Sequence, residues 1–279
     1  MLLEKQSSRE LPSKFLSAMI AVQPLPGSPG YDGNNRHIVD QALSDLEYYN
    51  NVGVDSVFLE NDFDVPYVKE EDLDTDGINL MVDIAKEIRR RFAKPIGIQI
   101  LEAANLTSLK IANAADLDFI RVEGYVYAHI GGAGLIEGSA GKILRLRKKL
   151  QAENIRVFAD VKKKHAAHAI TADLDIADVV KQSAIFKADG VIVTSKFTGL
   201  SPEQNDLITA KGATTLPVIV GSGMTKENIT DYLPIADGFI VGSTFRKEGK
   251  FLEQLDPKRL EEFMKVFMKA RVEMQDTLV

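Results

Sequence analysis

The 279-residue chain has no cysteine and no tryptophan. Without a thiol there is no disulfide, no thiolate nucleophile, no cysteine-ligated zinc and no cysteine-held iron–sulfur cluster. Long hydrophobic runs are missing as well. The apolar runs are four to eight residues long, far below the ~20 needed to cross a bilayer, so no membrane span is expected. The first fourteen residues, MLLEKQSSRELPSK, carry five charges and lack the apolar stretch of a signal peptide, and a cytoplasmic location follows as the expectation. There is no basic surplus either: 34 Lys and Arg stand against 40 Asp and Glu, a formal charge of −6. Nucleic acid is therefore not an expected partner.

What is present is a repeating pattern. Eight short Val/Ile-rich runs occupy residues 17–23, 55–60, 95–101, 118–123, 156–161, 189–194, 216–220 and 237–241. Each has the length and composition of a strand buried on both faces. Helical periodicity lies between them. Met81, Ala85, Ile88 and Phe92 share a face, as do Ile143, Leu146 and Leu150, and Ile176, Val179, Val180 and Ala184. In the last helix Leu260, Phe263, Met264 and Phe267 turn inward. Eight strand–helix units predict an α/β fold, a (β/α)8 TIM barrel. A doubly wound sheet would place a glycine-rich phosphate turn after the first strand, but that turn reads QPLPGSPG, and proline has no N–H to offer. One barrel domain is expected over 17–272, after an N-terminal extension (1–16) and before a tail (273–279).

The most specific local signal is a pair of turns. The seventh strand ends in Gly221-Ser222-Gly223 and leads into a predicted helix, KENITDYL; the eighth ends in Gly242-Ser243-Thr244. Barrels of this type often hold phosphate after strands seven and eight, where glycine admits the backbone and a helix N-terminus adds its dipole. Gly221, Ser222, Gly223, Gly242 and Ser243 are thus the candidate phosphate-binding residues, and a small anionic metabolite is the expected partner. Polar residues at the other strand ends supply candidate chemistry. Alternation places Asp160 with Lys162, and Arg121 with Glu123, while Glu60 closes the second strand and Thr194 the sixth. Glu60 or Asp160 would act as base. Lys162 or His165 would act as acid or oxyanion partner, and Arg121 would orient a substrate oxygen. A desolvated lysine beside another cation could instead attack a carbonyl as a free amine.

No cofactor is expected. His165 and His168, three apart in KKKHAAHA, could share a helical face and with Asp160 leave a divalent metal open. Two loops, 61–77 and 124–138, exceed what a barrel requires and read as lids over the mouth. Self-association is left open, since no heptad or apolar stripe marks an interface.

The stretches MIAVQPLPGSPGY, VFLENDFDVPY, FIRVEGYV, ADVKKKHA, DGVIVTSKFTG, PVIVGSGMTKENI and ADGFIVGSTFRKEGK resemble, in order from about 17 to 272, the BtpA family. The resemblance implies a TIM barrel allied to the ribulose-phosphate-binding barrels. It also implies matching positions at Glu60, Asn61, Arg121, Asp160, Lys163, His165 and the two late Gly-Ser turns. Two places depart from the family pattern: Leu101-Glu102-Ala103-Ala104-Asn105 stands where an Asn-Asp pair is usual, and Gly132-Ala133-Gly134 where Asp-Gln-Gly is typical. The leading expectation is a sugar-phosphate or related phosphorylated-metabolite enzyme of isomerase, epimerase, lyase or aldolase type. The alternatives are a non-catalytic assembly factor of the photosystem I biogenesis type, as the family name implies, and a nucleoside or nucleotide-base enzyme using Tyr67, Tyr125 and Tyr127 as stacking surfaces.

Overall fold

The computed structural model describes residues 9–195, 197 and 199–276. Residues 1–8 of the expected extension, 277–279 of the tail, and Lys196 and Thr198 of the sixth-strand motif lie outside the described residues. Eight parallel strands close into a barrel: β1 (Phe15–Ala21), β2 (Ser56–Glu60), β3 (Ile96–Gln99), β4 (Phe119–Val122), β7 (Arg156–Val161), β8 (Gly190–Val193), β9 (Val218–Val220) and β10 (Gly238–Val241), which returns to β1. All eight runs expected from the sequence are barrel strands. Between β4 and β7 an extra antiparallel hairpin forms from β5 (His129–Gly131) and β6 (Gly134–Ile136).

The helices are α1 (Asn35–Val52), α2 (Thr75–Arg91), α3 (Asn105–Ala114), α4 (Ala140–Lys149), α5 (Ile176–Ile185), α6 (Gln204–Ala213), α7 (Ile229–Tyr232) and α8 (Pro257–Asp276). Their periodic apolar faces pack on the outside of the strands, as Leu80, Met81, Ile84, Ala85 and Ile88 of α2 do, and Leu260, Phe263, Met264 and Phe267 of α8. Inside the barrel a separate cluster of Phe15, Met19, Phe58, Phe119, Phe158, Ile192, Ile219 and Ile240 fills the lower part. Its rings fit because Gly97, Gly190 and Gly238 leave room opposite Phe119, Phe158 and Phe15. The interior is a packed plug, interrupted low down by the buried Ser17–Ser56 hydroxyl pair (3.0 Å), and charged at its upper end.

A single device recurs at the lower rim. The aspartate heading every second strand accepts the first free amide of the strand before it and pairs with a cation. Asp55 takes Leu16 N (2.9 Å) and Arg271 (2.6 Å), and Asp118 takes Ile96 N (2.8 Å) and Arg89 (2.9 Å). Asp189 takes Val157 N (2.8 Å) and Arg147 (2.6 Å), and Asp237 takes Val218 N (2.7 Å) and Lys211 (2.7 Å). These latches sit at the end of a barrel that serves stability, which leaves the opposite end to the site.

Candidate active site

At the upper rim the two glycine turns meet. Gly221, Ser222, Gly223, Gly242, Ser243 and Thr244 line one narrow pit, with Met19 as its floor and Lys164 reaching in from the loop after β7. Two glycines are needed sterically. A Cβ on Gly221 would stand 2.6 Å from Ile192 Cγ2 and 3.5 Å from Arg121 Nη2. Gly223 has φ +72°, and a Cβ there would lie 2.1 Å from the backbone of Leu200 and Ser201. Gly221 spends its own amide on Val193 O at 3.0 Å, so its part is space rather than donation. Among the described residues, the amides of Ser222, Gly223, Gly242 and Ser243 meet no protein acceptor. Free N–H groups gathered around one pit are the raw material of an anion nest.

The expected helix dipole is not part of the pit. α7 has four residues and begins only at Ile229, because Thr225 N bonds Asn228 Oδ1 (2.8 Å) and Asn228 Nδ2 bonds Gly223 O (3.0 Å), making a turn where KENI was expected to be helical.

Below the pit lies a layer of buried charge. Arg121 donates to both oxygens of Asp160 (3.0–3.2 Å) with side chains 2% and 0% exposed. Burial opposes the guanidinium's charge, but Asp160 and Glu60 outweigh it and hold the proton firmly. Glu60 and Asp62 face one another with no water-like exposure. Burial, then the charge of Asp62, pushes Glu60 well above the usual carboxylate range, and burial raises Asp62 too. Neither oxygen of Asp62 meets a protein donor, so the contact becomes a hydrogen bond only when one carboxyl holds a proton. The pair therefore titrates as a unit. Among the described residues Lys164 has no ion pair within 4.0 Å, and burial followed by the nearby Arg121 charge lowers its pKa.

A second network braces the mouth. Lys163 binds Glu102 (2.7 Å) and Glu123 (3.0 Å), all three nearly buried. Both carboxylates hold it charged against burial. Glu102 also accepts the amides of Gly132 (3.2 Å) and Ala133 (2.6 Å) in the hairpin. The two stretches that depart from the family resemblance thus contact one another, and the long 124–138 loop is tied to the barrel through them. In the other long loop Tyr67 Oη donates to Asp62 O (2.9 Å).

Of the residues singled out from sequence, Glu60, Arg121 and Asp160 lie together in the buried layer, and the Gly-Ser turns lie together above it. Lys162 does not join them. β7 ends at Val161 and Lys162 turns left-handed (φ 48°), so strand alternation stops and its side chain is exposed. Lys164, two residues on, takes the inward place. His165, also left-handed (φ 54°), is largely exposed and packs on Phe197 at 5.8 Å. His168 stands instead beside His129 at 5.5 Å and contacts Lys163 O at 3.0 Å. The two histidines share no helical face, since the segment is not helical. Among the described residues no three His, Asp or Glu groups converge as metal ligands. Tyr125 is in the core with its hydroxyl on Phe186 O (2.6 Å), so it offers no stacking face.

Three site residues escaped the sequence reading: Lys164, Asp62 and Gln99. Gln99 was findable, as the one polar residue in an otherwise apolar strand, in phase with Gly97 on the inward face. Asp62 and Lys164 sit past their strand ends, where period-two counting no longer applies.

The profile of the BtpA family matches residues 13–269. An uncharacterized mitochondrial protein of Caenorhabditis elegans is 39% identical over 251 residues, covering 88% of this chain and 90% of its own length. An uncharacterized protein of Pyrococcus abyssi is 38% identical over 264 residues, 95% and 100% of the two chains. The photosystem I biogenesis protein BtpA of Synechocystis is 31% identical over 249 residues, 88% and 85%. Among solved structures, N-(5'-phosphoribosyl)anthranilate isomerase from Pyrococcus furiosus aligns with TM-score 0.56 at 15% identity, over 92% of this chain and 99% of that one. A structure titled native KDPGal aligns at 0.56 and 12%, over 95% and 98%. At such identities the likeness is one of fold. No helix among the described residues is long and apolar enough to cross a membrane.

Proposed function

The chain belongs to the BtpA family, and from that premise we propose that it is an enzyme for a small phosphorylated metabolite, working by proton transfer of the isomerase or epimerase type. The observation that carries the reading is the junction of the glycine pit with Lys164, which has no ion pair among the described residues, and a buried carboxyl pair beneath it. The phosphoryl group sits on the amides of Ser222, Gly223, Gly242 and Ser243, and Lys164 supplies the countercharge. Glu60, paired with Asp62, is the acid–base group: burial and the charge of Asp62 raise its pKa, so it keeps a proton more readily than an ordinary carboxyl. Arg121, fixed by Asp160, faces a developing oxyanion. Lys164 takes the part expected of Lys162. His165 remains a rim group with burial and the charges of Lys164 and Lys163 lowering its pKa.

The fold neighbours support the ligand class to the extent that their titles name an isomerase of a phosphoribosyl compound and a 6-phosphate 2-epimerase, although a barrel by itself hosts many chemistries. A second reading, a non-catalytic assembly factor, draws on the name of the Synechocystis relative and on Ile130 and Leu135, each 45% exposed at the hairpin. Thermal shift separates the two. A ligand at 100 times its Kd stabilises by about 2.7 kcal/mol. Stabilisation by inorganic phosphate and by some members of a phosphorylated-sugar panel, with deuterium entering the stabilising sugars from D2O, is the expected result. No shift with any anion favours the assembly role.

A further inference from the structure

Buried polar groups in folded proteins are almost always hydrogen-bonded, so a cluster of orphans at a barrel mouth marks groups kept for a ligand. Gln99 is 1% exposed, and both its Nε2 and its Oε1 lack a partner among the described residues; so does Nη1 of Arg121, also 1% exposed. These groups are neighbours. Glu60 is the register partner of Gln99 across β2 and β3. β3 and β4 pair through Ile98 and Ile120, which sets Gln99 beside Arg121 one step higher. Inward direction follows from Gly97, whose missing side chain is replaced by the Phe119 ring inside the barrel.

We infer that Gln99, with the free edge of Arg121, reads a hydroxyl beside a carbonyl or second hydroxyl on the substrate's carbon chain. The ligand is accordingly a hydroxylated phosphate, not a phosphorylated carboxylic acid that lacks a hydroxyl. The donor–acceptor pattern decides this. Gln99 Nε2 and Arg121 Nη1 donate and want an oxygen. Gln99 Oε1 accepts and wants an O–H, which only a hydroxyl in this class supplies. A carboxylate with no hydroxyl beside it would satisfy the two donors but leave Oε1 unpaired, and it would face the carboxyls of Glu60 and Asp62. Sites that hydrogen-bond a substrate hydroxyl discriminate strongly against analogues lacking it, because their own buried groups are then left bare. Gln99 is thus a specificity residue.

This inference rests on the phosphate reading above, and the test separates the two. Isothermal titration compares inorganic phosphate, 2-phosphoglycolate, which has a carboxylate and no hydroxyl, 2-deoxyribose 5-phosphate and a set of three- to six-carbon aldose and ketose phosphates on the wild-type protein and on Gln99→Leu. The expected result is at least a tenfold margin for one or more hydroxylated phosphates over inorganic phosphate. Gln99→Leu loses that margin while its affinity for inorganic phosphate stays the same. Should Gln99→Leu not fold, Gln99→Met carries the same comparison. Absence of phosphate binding by the wild type overturns the underlying reading. Phosphate binding without a hydroxyl margin, a margin that survives the variant, or a preference for 2-phosphoglycolate overturns the role of Gln99 alone.

Discussion

Replacing Lys164 with methionine separates its contribution to binding from its contribution to stability, and the two move in opposite directions. The ammonium lines the glycine pit with no ion-pair partner among the described residues, and burial with the nearby Arg121 charge depresses its pKa. A basic group whose folded pKa lies below its unfolded one contributes stability that is present above the unfolded pKa and lost as pH falls through the folded value. At pH 7 the wild-type protein therefore bears the cost of a half-buried charge beside Arg121. Lys164→Met removes that cost at nearly constant volume, so Tm at pH 7 should rise. The wild type should also gain on the variant as pH climbs toward 11. Binding moves the other way. A hydrogen bond to a charged group contributes about 1.5–3 kcal/mol, which converts to a loss of about 10- to 150-fold in phosphate affinity. Calorimetric titration with inorganic phosphate and thermal melts at pH 7 and pH 10.5 read both effects. Phosphate affinity unchanged within about twofold, or a methionine variant less stable at pH 7, would refute the assignment.

Further outcomes follow from the same geometry. Gly223→Ala forces a side chain onto a backbone at φ +72° and into the Leu200–Ser201 peptide. It should cost about 1–3 kcal/mol in urea denaturation and abolish phosphate binding; wild-type behaviour in both would contradict the packing described. Asp45, 2% exposed, is raised by burial from 3.8 to about 6. Its contribution is complete below pH 4 and disappears as pH rises to 6. Asp45→Asn should match the wild type at pH 4 and exceed it by up to about 3 kcal/mol at pH 8, and a constant difference across that range would be wrong for this cause. Asp118→Ala strips Arg89, Arg9 and Ile96 N of a partner at once. A loss of about 3 kcal/mol in urea is expected, and less than 1 kcal/mol would show that the lower-rim latch is ornamental.

The barrel was legible because each strand is a short apolar run and each helix shows a 3.6-residue face; both are local signals. The meeting of the Gly-Ser turns was inferred from their place after the last two strands, and the closed order β9–β10–β1 brings them to one pit. What escaped is where the chain leaves regular structure. The left-handed Lys162 exchanges the inward position from 162 to 164, and no periodicity anticipates a single positive φ. The non-helical path of 165–168 likewise parts His165 from His168. The pairing of Glu102 with Gly132 and Ala133 joins segments thirty residues apart, and its signal lies in three dimensions alone. The four lower-rim aspartates, by contrast, stood at the head of their strands in the sequence, and their common task emerges once the neighbouring strand is known.

The most direct measurement is a crystal structure of the protein soaked in inorganic phosphate. The ion is predicted between the two glycine turns, with the amides of Ser222, Gly223, Gly242 and Ser243 and the Lys164 ammonium each about 3 Å from its oxygens. Phosphate bound elsewhere on the surface, with those amides facing away from it, would contradict an anion site at this mouth.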